Sequence, residues 1–351
     1  MPSNVYFLPV SPGADDAELA AAGRRLLETI ADREKISFAP QLPLKVHFGE
    51  KGNRTYLKPA VYREIIAFLK EKGIAPCFAE TSVLYGGERF TREKHLKLAA
   101  AHGFTEIPVV IADGAGGEDA RDIPLNRHHF QSASIARFLA DAPQVLVVSH
   151  FKGHMLAGFG GAIKQLSMGF AAKGGKMAMH MNVKPHIRKW FCKGCSLCLK
   201  RCQVQAITLQ NGKAAINKEL CLGCGACFSI CPHHAVSVFS FSGFRNMLFG
   251  GRIFREKLVE YAFASATGKP HIYLNFAVNI TRGCDCEPRP MKNCVPNIGI
   301  FASLDPVAID SACHDAVARA GKTLRGKEQL AYAEKIGLGS THYNLISLEE
   351  K

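Results

Sequence analysis

Short apolar runs alternate with longer amphipathic stretches over most of the chain. The runs predict strands at 5–10, 42–48, 75–79, 109–112, 145–149, 271–278 and 298–303. The amphipathic stretches predict helices at 17–33, 59–71, 92–102, 132–141, 161–170, 252–267 and 307–319. This alternation is typical of an α/β fold with a mostly parallel sheet that helices cover on both faces.

A cysteine-rich segment interrupts this pattern and repeats itself. The spacing C-x2-C-x2-C-x3-C occurs twice at an offset of 29 residues, and Pro232 follows the second copy. Ala206-Ile-Thr-Leu recurs at the same offset as Ala235-Val-Ser-Val. We therefore predict a discontinuous α/β domain, 1–185 and 241–351, with an inserted unit at 186–240, which we call the cysteine unit.

The spacing of the repeat is suited to iron–sulfur chemistry. Three thiolates on one tight loop can reach three irons of one cubane, and the fourth cysteine points to the other cluster. This predicts two [4Fe–4S] clusters, one held by Cys192, Cys195, Cys198 and Cys231, the other by Cys221, Cys224, Cys227 and Cys202. Zinc ribbons use two separated C-x2-C pairs and fit poorly. The unit resembles an α+β two-cluster bacterial-type ferredoxin, although Gln203 stands where that pattern has proline.

Composition supports a metal or redox protein. Thirteen cysteines, an odd number, occur in a chain without a secretory signal at its start, so a disulfide framework is a poor interpretation. We expect a cytoplasmic protein with reduced thiols. Hydrophobic residues at 47% and charged residues at 21% exclude a disordered or fibrous chain. No apolar stretch is long enough to predict a membrane span.

The formal charge is +14, from 44 basic and 30 acidic residues. Eight cluster-bound thiolates would offset part of this excess, and the rest would form a solvated face. Docking of an acidic redox partner such as a ferredoxin or flavodoxin is the alternative, whereas nucleic acid is disfavoured.

Several predicted strands end in polar side chains: His47, Glu50 and Lys51; Glu80; and His150, Lys152 and His154. The carboxyl ends of parallel strands share one edge, where open α/β sheets bind ligands. We predict a catalytic site there, with histidines as proton donors or ligands and lysines holding an anionic substrate. Asp113 and Asp305 also follow strands, but ordinary turn and cap chemistry accounts for them.

Two further groups admit more than one interpretation. Gly158, Gly160, Gly161 and Lys164 suggest a loop before a helix, which either binds an anion or packs backbone closely. A third metal or cluster site is predicted at Cys284, Cys286, Cys294 and Cys313; the alternatives are a reversible thiol pair and unligated cysteines. Cys284 and Cys286 should lie beside the 150–154 loop, because both segments follow strands of one sheet.

The chain resembles the iron–sulfur-centre proteins grouped as domain of unknown function 362. The resemblance rests on stretches such as Lys45-Val-His-Phe-Gly-Glu-Lys-Gly-Asn, Ser149-His-Phe-Lys-Gly-His, Cys284-Asp-Cys and Asp305-Pro-Val-Ala-Ile-Asp. It implies two [4Fe–4S] clusters and no established reaction. Asn297 departs from the aspartate expected at its position.

These observations favour an iron–sulfur redox enzyme. Electrons would pass through the two clusters to the carboxyl edge of the sheet, where a small, anionic substrate would be reduced. An electron carrier or adaptor subunit and a metal or cluster delivery factor are the alternatives. A pure carrier needs no cluster of reactive residues at that edge.

Overall fold

The computed structural model describes residues 2–180, 185–202, 204–221, 226–237 and 251–348. Its strands are β1 (Ser3–Pro9), β2 (Gln41–Lys45), β3 (Ala75–Glu80), β4 (Val109–Ile111), β5 (Ala120–Pro124), β6 (Ser132–Ala136), β7 (Leu146–His150), β8 (Lys152–His154), β9 (Gly158–Gly160), β10 (His186–Ile187), β11 (Ile207–Gln210), β12 (Lys213–Ile216), β13 (Val236–Ser237), β14 (Ile272–Ala277), β15 (Gly299–Ser303) and β16 (Tyr343–Ser347).

The described helices are α1 (Asp16–Arg33), α2 (Arg63–Glu71), α3 (Arg92–Ala101), α4 (Arg137–Asp141), α5 (Ala162–Ser167), α6 (Lys173–His180), α7 (Leu197–Arg201), α8 (Ala226–Ile230), α9 (Gly251–Ala266), α10 (Pro306–Arg319) and α11 (Glu328–Lys335). A 3-10 turn at Pro59–Tyr62 precedes α2. None of these helices is long and apolar enough to cross a membrane.

The central sheet has the strand order β16-β1-β15-β14-β7-β2-β3-β4. All eight strands run in one direction except β15, which is antiparallel to both neighbours. The predicted mostly parallel α/β sheet is therefore confirmed. The carboxyl ends of β2, β3, β4, β7 and β14 meet at one edge.

Helices bury both faces of this sheet. Leu26 of α1 and Ile66 of α2 pack with Leu274 of β14 on one face. Its neighbour Tyr273 belongs to the core on the other face, together with Leu166 of α5 and Val259 of α9. Alternate residues of a strand point to opposite faces, so β14 supplies both cores.

The helix predicted at 132–141 is wrong in its first half. Residues 132–136 form β6, which pairs antiparallel with β5, and only residues 137–141 are helical. The small side chains around Ile135 carry no clear helical or strand signal, and the non-local ladder with β5 decides the outcome.

The direction of β15 corrects a second expectation. Asp305 follows a predicted strand, which would bring it to the same edge as the other strand ends in a parallel sheet, but β15 runs the other way, so Asp305 lies at the opposite edge. There Asp305 caps α10 by accepting from the backbone N–H groups of Val307 and Ala308, at 2.8 and 3.0 Å. The interpretation of Asp305 as a cap is therefore confirmed.

The cysteine unit contains short elements. Strand β10 pairs antiparallel with β13, with His186 opposite Ser237, and β11 pairs with β12. The first and last described strands of the unit therefore lie side by side. The boundaries at 186 and 240 remain a prediction, since residues 238–250 lie outside the described part.

Candidate functional site

A tight turn at residues 284–287, which we call the cysteine turn, lies at the carboxyl edge of the sheet. The Glu287 N–H donates to the Cys284 carbonyl at 2.9 Å and closes the turn. Between the cysteines, Asp285 is fully buried and binds His150 Nδ1 at 2.9 Å and the Lys152 ammonium. The prediction that Cys284 and Cys286 lie beside the 150–154 loop is confirmed.

The contacts with Asp285 indicate the role of His150 and Lys152. Burial raises the pKa of the Asp285 carboxyl, but the charges of His150 and Lys152 outweigh burial and bring it well below its usual range. The carboxylate is thus ionised and holds both residues. His150 and Lys152 therefore hold the cysteine turn in place through their contacts with Asp285.

Cys284, Cys286 and His154 form a group whose ligand atoms all lie within 4.8 Å of one another, and such a group could hold a metal ion. Lys164 Nζ is 3.5 Å from Cys284 Sγ. The hydrogen bond from Cys286, and then the charge of Lys164, lower the pKa of the Cys284 thiol well below its usual value. Although burial lowers the pKa of Lys164, the negative charge at Cys284 raises it overall.

The backbone fixes which nitrogen of His154 carries a proton. The N–H groups of Leu156 and Ala157 donate to His154 Nδ1 at 3.2 and 3.0 Å. Burial lowers the pKa of His154, which keeps the ring neutral. A neutral ring that accepts at Nδ1 carries its proton on Nε2, so Nε2–H is the donor available to Cys284.

The three groups open onto a cavity of about 270 Å³, which we call the edge cavity. Leu84, Leu156, Met168 and Phe254 form an apolar part of its wall. The polar part is formed by His47, Glu80, Thr81, Tyr85, Arg89, His154, Lys164, Gln165, Lys176, His180, Cys284, Cys286 and Glu287. Of the predicted catalytic residues, His47, Glu80 and His154 therefore reach this cavity.

Arg89 is the main residue that sequence reasoning missed. It is 2% exposed, and its guanidinium lies 3.0 Å from both Glu50 and His47. Burial and the charge of Arg89 lower the pKa of His47 to about 3, so His47 is neutral and does not donate a proton as an acid near neutral pH. No periodic signal marks Arg89, because hydrophobic patterns do not identify buried charges.

Two further buried cations were also missed. Lys45 binds Glu80 at 2.7 Å. Lys176 donates to Thr81 Oγ1 and to the Ser82 carbonyl, both at 2.6 Å. Lys51, by contrast, is largely exposed and lies 3.9 Å from Glu88.

The glycine loop before α5 packs closely. A Cβ at Gly158 would lie 2.1 Å from the Arg325 carbonyl, and one at Gly161 would lie 2.2 Å from Asp310. The Asp310 carboxylate accepts from the backbone N–H groups of Ala162 and Ile163 at 2.7 and 3.0 Å. These two amides are therefore occupied by the protein's own carboxylate, and Lys164 is the member of the predicted anion group that faces the edge cavity.

The other two cysteines of the predicted third site lie elsewhere. Cys313 is fully buried in α10, with its sulfur 3.6 Å from Asn275 Nδ2. Cys294 lines a separate surface depression with Arg282 and Arg289. Among the described residues, neither belongs to a group that could hold a metal ion. Asn297 accepts the Asn279 N–H at 2.8 Å and so supports the loop after β14.

Four thiols of the cysteine unit line one small cavity: Cys192, Cys195, Cys198 and Cys231. They are the crossed set predicted for one cluster. Of the second set, Cys202 follows α7, Cys227 lies in α8 and Cys221 precedes α8, whereas Cys224 lies outside the described residues. Helices α7 and α8 pack together.

Backbone amides approach the sulfurs in a repeated way. The Ala206 N–H donates to Cys202 Sγ at 3.2 Å, and the Ala235 N–H donates to Cys231 Sγ at 3.3 Å, at equivalent positions of the two repeats. Ala214 N–H similarly donates to Cys192 Sγ at 3.3 Å. Such donors stabilise thiolates and are one means by which proteins adjust iron–sulfur centres.

Helix α6 contacts both parts of the molecule. It packs against α8 of the cysteine unit, and its residues Lys176 and His180 line the edge cavity. An ion pair of 2.7 Å between Arg201 and Asp122 makes a second connection.

A family model described as a domain of unknown function, DUF362, matches residues 43–315. This chain belongs to the DUF362 family. The edge cavity, the cysteine turn and the cysteine unit all fall within the matched range. A search of the curated proteins found no match.

Two solved structures resemble this DUF362 chain distantly. A Thermotoga maritima protein solved by the Northeast Structural Genomics Consortium is 11% identical with a TM-score of 0.43, over 88% of this chain and 60% of that one. The lactate racemase apoprotein from Thermoanaerobacterium thermosaccharolyticum is 12% identical with a TM-score of 0.37, over 79% of this chain and 51% of that one. The chain thus spans between half and two thirds of those proteins.

Proposed function

We propose that this DUF362 protein is an iron–sulfur oxidoreductase that reduces a small anionic substrate in the edge cavity. One [4Fe–4S] cluster would be held by Cys192, Cys195, Cys198 and Cys231, the other by Cys202, Cys221, Cys224 and Cys227. The cavity lined by the first set carries the proposal, because it joins three thiols of one repeat with the last thiol of the other.

The hydrogen bonds of the unit support the same assignment. Amide donors reach Cys202 and Cys231 at equivalent positions, as expected where both sulfurs are thiolates in similar environments. When bound, such clusters would supply electrons one at a time. Helix α6 contacts α8 and also lines the edge cavity, so we expect electrons from the clusters to reach this cavity.

The edge cavity favours an enzyme over a pure electron carrier. Lys164, Lys176 and Arg89 bring positive charge to its wall, and Arg89 and Lys176 are buried while Lys164 is partly buried, so a bound anion would be attracted with reduced screening by solvent. A protein that only passed electrons to a partner would have no use for this arrangement.

An acidic redox partner would be the electron donor. Four basic side chains of the cysteine unit are exposed, Arg188, Lys189, Lys193 and Lys200, and Lys193 lines the thiol-lined cavity. Trp190, in the same stretch, is 93% exposed. A negatively charged ferredoxin or flavodoxin would be steered to this face.

The experiment is an iron and sulfide count after anaerobic reconstitution, with about eight of each expected per chain. Cys231→Ser and Cys202→Ser should each lower the iron content, because each removes a ligand of a different cluster. Cys77→Ser, in β3 of the α/β domain, is the control and should leave iron unchanged. Stoichiometric zinc without iron in the wild type, or unchanged iron in both variants, would contradict the proposal.

A further inference from the structure

We infer that Cys284 and Cys286 are a redox-active thiolate–thiol pair that reduces a small anionic disulfide bound in the edge cavity. The inference deepens the proposed function by naming the substrate class, and rests on it only for the source of electrons in the cell. The half-reaction at the cysteine turn uses this chain's own residues.

The turn brings the two sulfurs together. Cys284 and Cys286 are the first and third residues of a hydrogen-bonded turn, and their sulfurs lie within 4.8 Å of each other. Asp285 between them points the other way, into its contacts with His150 and Lys152. Both sulfurs face the same cavity. One sulfur can therefore attack a disulfide bound there, and the other can then attack the mixed disulfide that forms.

The surroundings of Cys284 suit a nucleophilic thiolate. Lys164 Nζ lies 3.5 Å from its sulfur, and a ring nitrogen of His154 lies within 4.8 Å of it. Because Nδ1 accepts two backbone N–H groups, the ring nitrogen free to donate is Nε2. Positive charge and hydrogen-bond donors beside a cysteine are the features that mark reactive thiols.

The same geometry weighs against a metal ion. Coordination through His154 Nε2 requires that nitrogen to be unprotonated, with the proton on Nδ1. The Leu156 and Ala157 amides already donate to Nδ1, which excludes a proton there. His154 is therefore better placed to donate to sulfur than to ligate an ion.

The cavity wall selects an anion with a short apolar body. The Lys176 Nζ donates to neutral oxygens of Thr81 and Ser82, and although burial lowers the pKa of Lys176 to about 8, the side chain is mostly charged at pH 7. Met168 and Phe254 cover the apolar side. Carboxylates on a short alkyl disulfide would match both features.

The chemistry balances without another reagent. The Cys284 thiolate attacks one sulfur of the substrate, the substrate S–S bond breaks, and a mixed disulfide with Cys284 forms as the first thiolate leaves. That thiolate takes the Cys286 proton. Cys286 then attacks Cys284 Sγ, and the second substrate thiolate leaves and takes a proton from water. Two electrons pass from the pair to the substrate, which ends as two thiols.

The test uses the full reconstituted chain, reduced with dithiothreitol, freed of it anaerobically, and mixed with bis(2-carboxyethyl) disulfide. Wild type should release two thiols per chain and lose two hydrogens in mass without an adduct. Cys286→Ala should stop at one retained adduct on Cys284, and Cys284→Ala should lose the fast reaction. Cys294→Ser is the control and should behave as wild type.

A neutral probe tests the substrate class. Bis(2-hydroxyethyl) disulfide should react roughly tenfold more slowly than the dicarboxylate, because the cationic wall does not attract it. Equal rates would overturn the preference for anions. A stable adduct on the wild type, reaction at other cysteines, or a tightly bound metal that blocks both thiols would overturn the thiol pair.

Iron content in the same samples separates the two proposals. Normal thiol chemistry in a chain without iron would reject the proposed function alone. Normal iron without the two-thiol reaction would reject this inference alone. Matching iron content and near-ultraviolet circular dichroism in the variants would show that a lost reaction is not a loss of folding.

Discussion

His150 and Asp285 meet at the carboxyl edge of the sheet, with Nδ1 2.9 Å from a carboxylate oxygen. His150 Nε2 lies 2.7 Å from the Val278 carbonyl. The carboxylate and the carbonyl are both acceptors, so each ring nitrogen of His150 faces one. His150 and the Lys152 ammonium share the buried Asp285 carboxylate, and this arrangement fixes the cysteine turn between β14 and the edge cavity.

Asp285→Asn should therefore destabilise the protein strongly. The substitution leaves the buried Lys152 ammonium and the buried His150 ring without their anion, for which a loss of about 3–5 kcal/mol is expected. Urea unfolding of the anaerobic protein, followed by circular dichroism, measures the apparent change. Glu93→Gln breaks an exposed pair with Lys97 and should cost less than about 1 kcal/mol. Similar losses for both variants would contradict this account.

Cys284 should remain reactive at mildly acidic pH. The hydrogen bond from Cys286 and the charge of Lys164 lower the pKa of Cys284, so its thiolate persists below the pH at which an ordinary cysteine is protonated. Its alkylation by iodoacetamide, followed by mass spectrometry, should slow less between pH 8.5 and 6.5 than that of glutathione.

Lys164→Gln should raise the pKa of Cys284 and restore an ordinary pH dependence. Lys51→Gln changes an exposed lysine outside the edge cavity and serves as the matched control. A Cys284 that slows as much as glutathione in the unaltered protein would show that the thiolate is not stabilised.

Gly158→Ala should cost about 2–4 kcal/mol of stability. Gly158 has a φ of +89°, and an added Cβ would lie 2.1 Å from the Arg325 carbonyl, so the backbone of one segment must move. Gly86→Ala meets no atom within 4 Å and is the comparison. Thermal unfolding of the two variants side by side checks the difference, and equal midpoints would refute it.

Removal of the cysteine unit should leave a folded α/β domain. His186 pairs with Ser237, so a short linker could join the two ends where they already lie together. Replacing residues 186–237 should preserve a cooperative thermal transition and abolish iron binding. A chain that fails to fold would show instead that α8, through its contact with α6, is needed by the domain.

Much of the sheet was predictable because its strands are buried on both faces. The runs at 75–79, 145–149 and 271–278 correspond to β3, β7 and β14. The start of α1 likewise follows a local rule, because Asp15 is a favoured cap residue and accepts from the Ala17 and Glu18 amides at 2.9 and 2.8 Å. The rule that parallel strands end together led to the contact between the 150–154 loop and the cysteine turn.

What the sequence could not provide depends on contacts between distant segments. Helix α6 contains two adjacent glycines, which lower its local helix propensity, so packing with distant segments decides that it is helical. The buried Arg89 and Lys45 lie among residues that only the folded chain brings together. Tertiary packing likewise places Cys284 and Cys286 at the edge cavity but buries Cys313 inside α10.

Because β15 runs against its neighbours, it sets two groups of residues at opposite edges of the sheet. Its far end carries Asp305, which caps α10 and binds Ser3 at 2.8 Å, while the residues of the edge cavity cluster at the other rim. Substitutions among the residues that line the cavity can therefore leave the Asp305 cap intact. The reverse does not hold, because the helix that Asp305 caps also carries Asp310, which binds the amides just before Lys164, so loss of the cap would reach the cavity as well.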